Sequence, residues 1–579
     1  MLNSIREWNT SMLFRCLVAI FFLSVLLPSM AFAQSNTYSG WLSVLYGDPQ
    51  PGSGEAPRFL ALLNDGHNTT FANLNIDSNL ADNLQGQYVE VTGTTSELSA
   101  QEIGSITIQV QSIHATTPPP RTELAVSAQS SGSQPFVNLK CQFPDRPPLA
   151  RDHTFYDQLF SSTYPGLDNY WRQMSYNQIN LTGTTLVDTW YTLPHLRSYY
   201  LHDDTVYLAN IAYDCTQAAN AAVNFPNFVG INIMLNDSIG CCAWGTAGMF
   251  YTLDGVSKSY PTTWLPPWGQ EYSTLGHEMG HGFGLPHSSG PASNPPQGYL
   301  SIYISDWDIM SNSSGAFVQN NGAYGYTPPG TIGYHVDLAG WMPSAQKAVI
   351  VPGRPNTITL EQLRATPASL PANTYLMAQI PITGSATHFY TVEVRAHTSY
   401  DVNIPYFVPS AVVLIFEVDT TRETNAGHAL IVDVDYANGS SNGNVNDAGA
   451  MWTTGEKFFD SRNGISIAIG ALVGTHYSVT IAKESAASAA PVRNLNRTGT
   501  ATLNWNRVSW AVGYNMQIDD SSTFATPFTY EANNLPPSQL WLTRSLPDGI
   551  YYWRVCALKT DSTCGSWSTP ESFQIDTSP

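Results

Sequence analysis

The sequence predicts a multidomain protein in which an α/β (α+β) core is preceded by a small β-barrel and followed by β-sandwich domains. Three observations carry this. At 579 residues the chain exceeds what one hydrophobic core supports and suits about three to five modules. Between residues 136 and 345, apolar strand-like segments alternate with amphipathic helical stretches, as in α/β folds. On either side, short alternating segments are separated by Gly, Asn, Asp and Pro, the pattern of antiparallel sheet. Apolar residues make up 43% and charged residues 12%, the balance of a folded chain rather than a disordered one. The formal charge of -20, with only 24 Lys and Arg, excludes a nucleic-acid surface, which needs clustered cations.

The chain starts as an export signal does. Arg6 and Arg15 precede an apolar run at 17–27, and Ala31-Phe32-Ala33 supplies a small-residue cleavage pattern. Residues 1–33 are therefore expected to be removed, giving a secreted protein that begins at Gln34 and has no membrane anchor, since the apolar run is too short to span a bilayer. Residues 34–115 hold five strand-like segments, at 41–46, 58–63, 70–76, 88–93 and 106–113, which suit an OB-like barrel. As a propeptide such a module would assist folding or inhibit; it is equally read as an accessory domain.

A linker follows at 116–135, where Pro118-Pro119-Pro120 and a Ser/Gly-rich stretch mark an exposed, processing-prone segment. The core, 136–345, is expected to contain a strand at 136–143, helix over 153–178, strand over 179–193, a helix over 203–223 started by Asp203-Asp204, and a strand at 228–235. Residues 346–486 read as a β-sandwich, with apolar stretches at 390–394, 411–418 and 477–481. In 487–579, Trp505, the segment 511–518 and Tyr551-Tyr552-Trp553-Arg554-Val555 resemble the strand pattern of fibronectin type III domains.

Of seven cysteines, Cys16 lies in the leader. Cys556 and Cys564 are near enough for a local bridge, while Cys141, Cys215, Cys241 and Cys242 allow three pairings that spacing does not rank. None shows the paired spacing of a structural zinc site.

The chemistry is concentrated in His277-Glu278-Met279-Gly280-His281-Gly282-Phe283-Gly284-Leu285-Pro286-His287. Positions four apart share a helix face, so His277 and His281 can present two imidazoles to one Zn²⁺. Gly284 permits the chain to leave the helix, and His287 swings back as third ligand. Glu278 stands beside the metal as general base. Three protein ligands leave a fourth position open for water, the feature that separates a catalytic from a structural zinc.

This string resembles the metzincin signature, and the likeness implies a methionine turn beneath the metal, for which Met310 in Asp306-Trp307-Asp308-Ile309-Met310 is the match. Leu285-Pro286-His287-Ser288, Gly245-Thr246-Ala247-Gly248-Met249-Phe250-Tyr251 and Leu338-Ala339-Gly340-Trp341-Met342 are most similar to the gametolysin-like peptidases, over about 136–343. The segments 170–176 and 190–194 also resemble the immune-inhibitor-A-like peptidases, which place an acidic residue where His287 stands. The resemblance implies an edge strand around Gly245, Ala247 and Gly248 on which a substrate adds antiparallel, with an interior strand or loop as the alternative. It also implies an oxyanion-supporting tyrosine, with Tyr324, Tyr326 and Tyr334 as candidates.

Asp433, Asp435, Asn438, Asn444, Asn446 and Asp447 form an oxygen-rich loop for which Ca²⁺ is a candidate ion, although the spacing fits no EF-hand and a solvated turn is the simpler reading. Cys141 falls on the first core strand, not in the leader, so no cysteine switch is expected. The resulting expectation is a secreted zinc endopeptidase acting on protein or peptide substrates, with an adhesin or binding protein carrying a secondary peptidase domain as the alternative.

Overall fold

The computed structural model describes residues 35–66, 70–96, 106–118, 131–202, 205–289, 303–315, 317–352, 355–382, 385–404, 410–422, 426–433, 444–460, 463–483, 495–496, 499–505, 507–508, 511–559 and 562–577. The export signal, the Asp203-Asp204 pair, Asp435, Asn438 and most of the predicted linker lie outside these residues. Among the described residues no helix is long and apolar enough to cross a membrane.

The N-terminal module contains the five predicted strands, β1 (Asn36–Pro49), β2 (Arg58–Asn64), β3 (Thr70–Asn75), β4 (Tyr88–Ser96) and β5 (Ile106–Ala115), with a short helix α1 (Ser78–Asp82) before β4. Asp77 caps that helix by accepting from the Leu80 N–H. The pairings run β1–β2–β3–β5–β4 and back to β1, which closes a small barrel around Leu42, Val44, Leu63, Val89, Val91 and Ile108. Closure removes the sheet edges that a five-stranded ribbon would expose. β1 is longer than the alternation predicts: it continues past Tyr46 to Pro49 and leaves the barrel.

The core has β6 (Phe136–Gln142), β7 (Thr185–Thr192), β8 (Gly230–Leu235), β9 (Cys242–Leu253) and β10 (Val256–Leu265). Their order is β9-β10-β8-β6-β7, with β9 antiparallel to β10 and the other neighbours parallel. Strands such as β8 are buried along their whole length, as expected where both faces are covered. On its other side β9 pairs with the end of β1, so barrel and core form one ten-stranded sheet.

The helix predicted over 153–178 is two, α2 (His153–Leu159) and α3 (Leu167–Met174), because Pro165 and Gly166 interrupt the helical run. The third, α4 (Leu208–Ala219), is shorter than its predicted 203–223; it buries Leu208, Ile211, Ala212, Cys215 and Ala219 at helical spacing. A disulfide between Cys141 and Cys215 joins β6 to α4, and others link Cys241 with Cys242 and Cys556 with Cys564. Two further helices serve the site, α5 (Tyr272–Gly282) and α6 (Gly333–Leu338).

Residues 347–483 form two facing sheets around Val392, Val394, Val413, Ile415, Ile467, Val479 and Ile481, as the sandwich reading expects. One reaches into the core: Ser288–Ser289, directly after His287, pairs in parallel with 429–430. Beyond 495, two more sheets enclose Trp505, Tyr514 and Trp553.

Candidate metal centre

Helix α5 is buried on every side, so its polar residues need partners or a ligand. His277 donates from Nδ1 to the Ile309 carbonyl at 2.6 Å, and His281 from Nδ1 to the Leu285 carbonyl at 2.9 Å. Each bond places a proton on Nδ1 and turns Nε2 inward. The helix ends as predicted: Gly284 has φ +81°, a conformation disfavoured for residues with Cβ, and Leu285 N–H reaches the Gly280 carbonyl at 3.0 Å. The chain then turns His287 back toward the other two rings, with His277 Nε2 and His287 Nε2 3.4 Å apart.

The sandwich and the methionine turn hold this arrangement from behind. His428 N–H donates to the His287 carbonyl at 3.1 Å, and Ser288 N–H to the Met310 carbonyl at 3.1 Å. Met310 is fully buried and packs against Gly280, where any side chain would displace its sulfur. The turn is carried by Arg395, which donates to the Trp307 carbonyl at 2.9 Å and to the Gly330 carbonyl at 3.0 Å while pairing with Asp401 and Glu393. The predicted His277, His281, His287, Glu278, Gly284 and Met310 thus all fall at one place.

The predicted open fourth position does not. Asp48, at the end of β1, brings its carboxylate to the three histidines: Oδ2 lies 3.4 Å from His277 Nε2 and 3.4 Å from His281 Nε2, and Oδ1 2.8 Å from His287 Nε2. Among the described residues this is the group of donors that could hold a metal ion. A tetrahedron with Zn–N and Zn–O arms of about 2.0–2.1 Å has edges of about 3.3–3.4 Å, and three of the measured separations are 3.4 Å. Asp48 Oδ2 and His281 Nε2 are buried without hydrogen-bond partners, which a shared cation would resolve. The donor set therefore fits Zn²⁺.

Burial holds the His281 imidazole down to about 3, so it is neutral and its lone pair is free. Burial pushes the Asp48 carboxyl up, but His287 and His277 outweigh it and hold it well below the usual carboxylate range. Glu278 is the opposite case: burial, with Asp48 adding to it, raises its carboxyl well above the usual range. Both Glu278 oxygens are buried and unpartnered. Gly245 explains how they fit, since a Cβ there would lie 2.8 Å from Glu278 Oε2.

Two residues of the candidate site escape sequence reasoning. One is Asp48; the other is Tyr303, whose hydroxyl donates to Asp48 Oδ1 and which burial keeps protonated. The predicted tyrosines lie elsewhere: Tyr324 stacks on Phe155, Tyr326 is on the surface, and Tyr334 faces His428. At Gly245 the strand is interior, not an edge, because β1 covers residues 242–245: Tyr46 pairs with Gly245 and Pro49 with Cys242. The alternative reading of an interior strand is the one observed, with Ala247 and Gly248 at a bulge. In the oxygen-rich loop, Asn446 bonds Ile304 and Asp306, and Asp447 caps Gly449; these are structural uses.

A cavity of about 600 Å³ opens beside the cluster, bounded by His277, Glu278, Tyr303, Asn312 and the chain following Asp48.

No family model matches the chain, and no curated protein matches it. Among solved structures it is similar to an Fn3-like protein from Clostridium thermocellum, at 20% identity over 16% of this chain and 96% of that one, TM-score 0.13. It is similar to the chicken CNTN1 FN1-FN3 domains at 10% identity over 34% and 58%, TM-score 0.15, and to a beta-1,2-glucanase from Parabacteroides distasonis at 12% over 19% and 17%, TM-score 0.14. Likeness at these TM-scores does not bear on the metal centre.

Proposed function

We propose that the chain is a secreted zinc-dependent endopeptidase of metzincin type, most like the gametolysin-like peptidases, with a C-terminal fibronectin type III domain. The observation that carries the reading is Glu278. A buried carboxylate with no hydrogen bond, next to three converging imidazoles, is costly to the fold and is explained by use as a base.

His277, His281 and His287 would hold the ion. Zn²⁺ bound there would supply Lewis acidity toward a carbonyl and an acidified water. Glu278, whose two carboxyl oxygens have no other partner, would in its ionised form take a proton from the attacking water and deliver it to the departing amine nitrogen. Tyr303 has a protonated hydroxyl aimed at the group in the fourth position, where it would donate to the oxygen that gains charge.

Asp48 favours a second reading, a closed His₃Asp structural zinc clasping barrel to core. Such a clasp has no role for Glu278. The adhesin alternative draws on the C-terminal sandwiches and gives no role to Glu278 either.

The test is digestion of a diverse peptide library by the zinc-loaded protein and by its Asp48→Asn variant, with and without chelator. Chelator-sensitive cleavage restored by zinc is expected. No cleavage by either form would sink the reading.

A further inference from the structure

We infer that the cavity beside the histidine cluster takes the side chain of an arginine flanking the cleaved bond, with Asp306 and Trp268 as the residues that select it. This rests on the peptidase reading and names the substrate class of the same site.

Charge carries the first part. Asp306 and Glu55 line the cavity, and among the described residues that line it there is no Lys or Arg. Asp306 is only 4% exposed, so water and salt screen its carboxylate little and a cation brought to it is held more strongly than on the surface. Asn446, Asn312 and Gly315 hold that residue in place. Asn446 Oδ1 accepts from the Asp306 N–H at 2.8 Å, while Asn446 Nδ2 donates to the Ile304 carbonyl at 2.8 Å. Asn312 Nδ2 donates to Asp306 Oδ1 at 2.7 Å, which orients the carboxylate and leaves Asn312 Oδ1 as an acceptor beside it. Gly315 lets the chain close over the pair: a Cβ there would lie 1.9 Å from Asp306 Oδ1 and 2.8 Å from Asn312 Nδ2. Adjacent acceptors suit the planar fork of a guanidinium better than the point charge of an ammonium.

Trp268 carries the second part. It is half-buried and lines the same cavity. A guanidinium stacks on an indole while its edge donates to a carboxylate, and its aliphatic stem covers apolar surface on the way. A neutral polar side chain gains the hydrogen bonds alone, and an acidic one is repelled by Asp306 and Glu55. Position follows from the remaining walls: His277 and Glu278 line this cavity too, so a side chain seated in it belongs to a residue next to the bond that is cut.

The experiment uses the full zinc-loaded chain. Calorimetry compares N-acetyl-arginine amide with N-acetyl-citrulline amide, which has nearly the same shape without the charge. The arginine amide is expected to bind at least about 10-fold more tightly, as charge-assisted hydrogen bonds to a buried carboxylate imply. Asp306→Asn should erase most of that preference, and Trp268→Leu, which leaves the carboxylate in place, should narrow it about 3-fold; circular dichroism shows that each variant is folded. In the Asp48→Asn background, peptides with arginine beside the cleaved bond should exceed their citrulline counterparts at least about 10-fold in kcat/KM. Equal affinity of the parent for the two amides, binding of neither included, overturns the inference, and so does a preference that survives intact in folded Asp306→Asn. Arginine-selective binding by a chain that cleaves no peptide leaves the arginine site standing and sinks the peptidase reading. Cleavage indifferent to arginine does the reverse.

Discussion

Asp308 Oδ2 and His335 Nδ1 lie 2.9 Å apart, with both side chains fully buried. The same carboxylate accepts from Ser288 Oγ at 2.5 Å and Thr331 Oγ1 at 2.8 Å. One buried group thus fastens the residue after the third histidine, the methionine turn and helix α6. Burial pushes the Asp308 carboxyl up, but His335 and the two hydroxyls outweigh it and hold it well below the usual range.

That shift fixes a pH dependence. A carboxylate depressed in the folded state contributes stability that is present above its unfolded value, about 3.9, and is lost as pH falls from there toward the folded value. Asp308→Asn is expected to lower stability by about 3 kcal/mol near neutrality. The gap between parent and variant should shrink below about pH 4. Thermal unfolding of both from pH 3 to 7 checks this, and a gap that does not change with pH would count against it.

Arg395 ties the sandwich to the turn beneath the histidine cluster. Its guanidinium is buried, pairs with Asp401 and Glu393, and bonds the Trp307 and Gly330 carbonyls. Arg395→Met would leave two buried carboxylates with only Arg364, 3.9 Å from Asp401, to balance them, at about 3 kcal/mol, and would free the turn that ends in Met310. Reduced thermal stability together with weakened zinc retention is expected. A variant with lowered stability and unaltered zinc affinity would show that the turn does not depend on this anchor.

His287→Ala removes one of three imidazoles. With His277, His281 and Asp48 remaining, zinc is expected to bind at least 10-fold more weakly, in line with the sensitivity of metal sites to their ligands. Competition against a chromophoric chelator measures it. Retention of zinc at the affinity of the parent would remove His287 from the ligand set.

The histidine string was legible because its meaning is local. Helical spacing places His277 and His281 on one face, and Gly284 redirects the chain within a few residues, so no distant contact is needed to read it. The barrel strands were legible for the same reason, from alternation over short segments. Asp48 was not, because its place depends on β1 crossing from one sheet system to another, and Tyr46-Gly47-Asp48-Pro49 carries no ligand spacing. The edge-strand expectation failed likewise: edge status belongs to a whole sheet, and nothing within 245–248 reports what pairs with it. Tyr303 lies just before the predicted turn in a segment without a motif, and only its bond to Asp48 reveals it.

In the proposed reading Glu278 is the general base, and its environment allows that role to be separated from a structural one. It makes no hydrogen bond and contributes no donor to the His₃Asp group, so Glu278→Gln removes proton-accepting capacity while preserving size. In the Asp48→Asn background, where the cleft is expected to be accessible, Glu278→Gln should retain stoichiometric zinc and fold with equal or greater stability, because burial already disfavours the charged form. Turnover of a peptide substrate should fall by roughly 10²–10⁴-fold, mainly in kcat. Zinc content, thermal midpoint and kinetics measured on the same preparation discriminate the outcomes: lost zinc would make Glu278 a support of the metal, and undiminished turnover would assign the base to another residue.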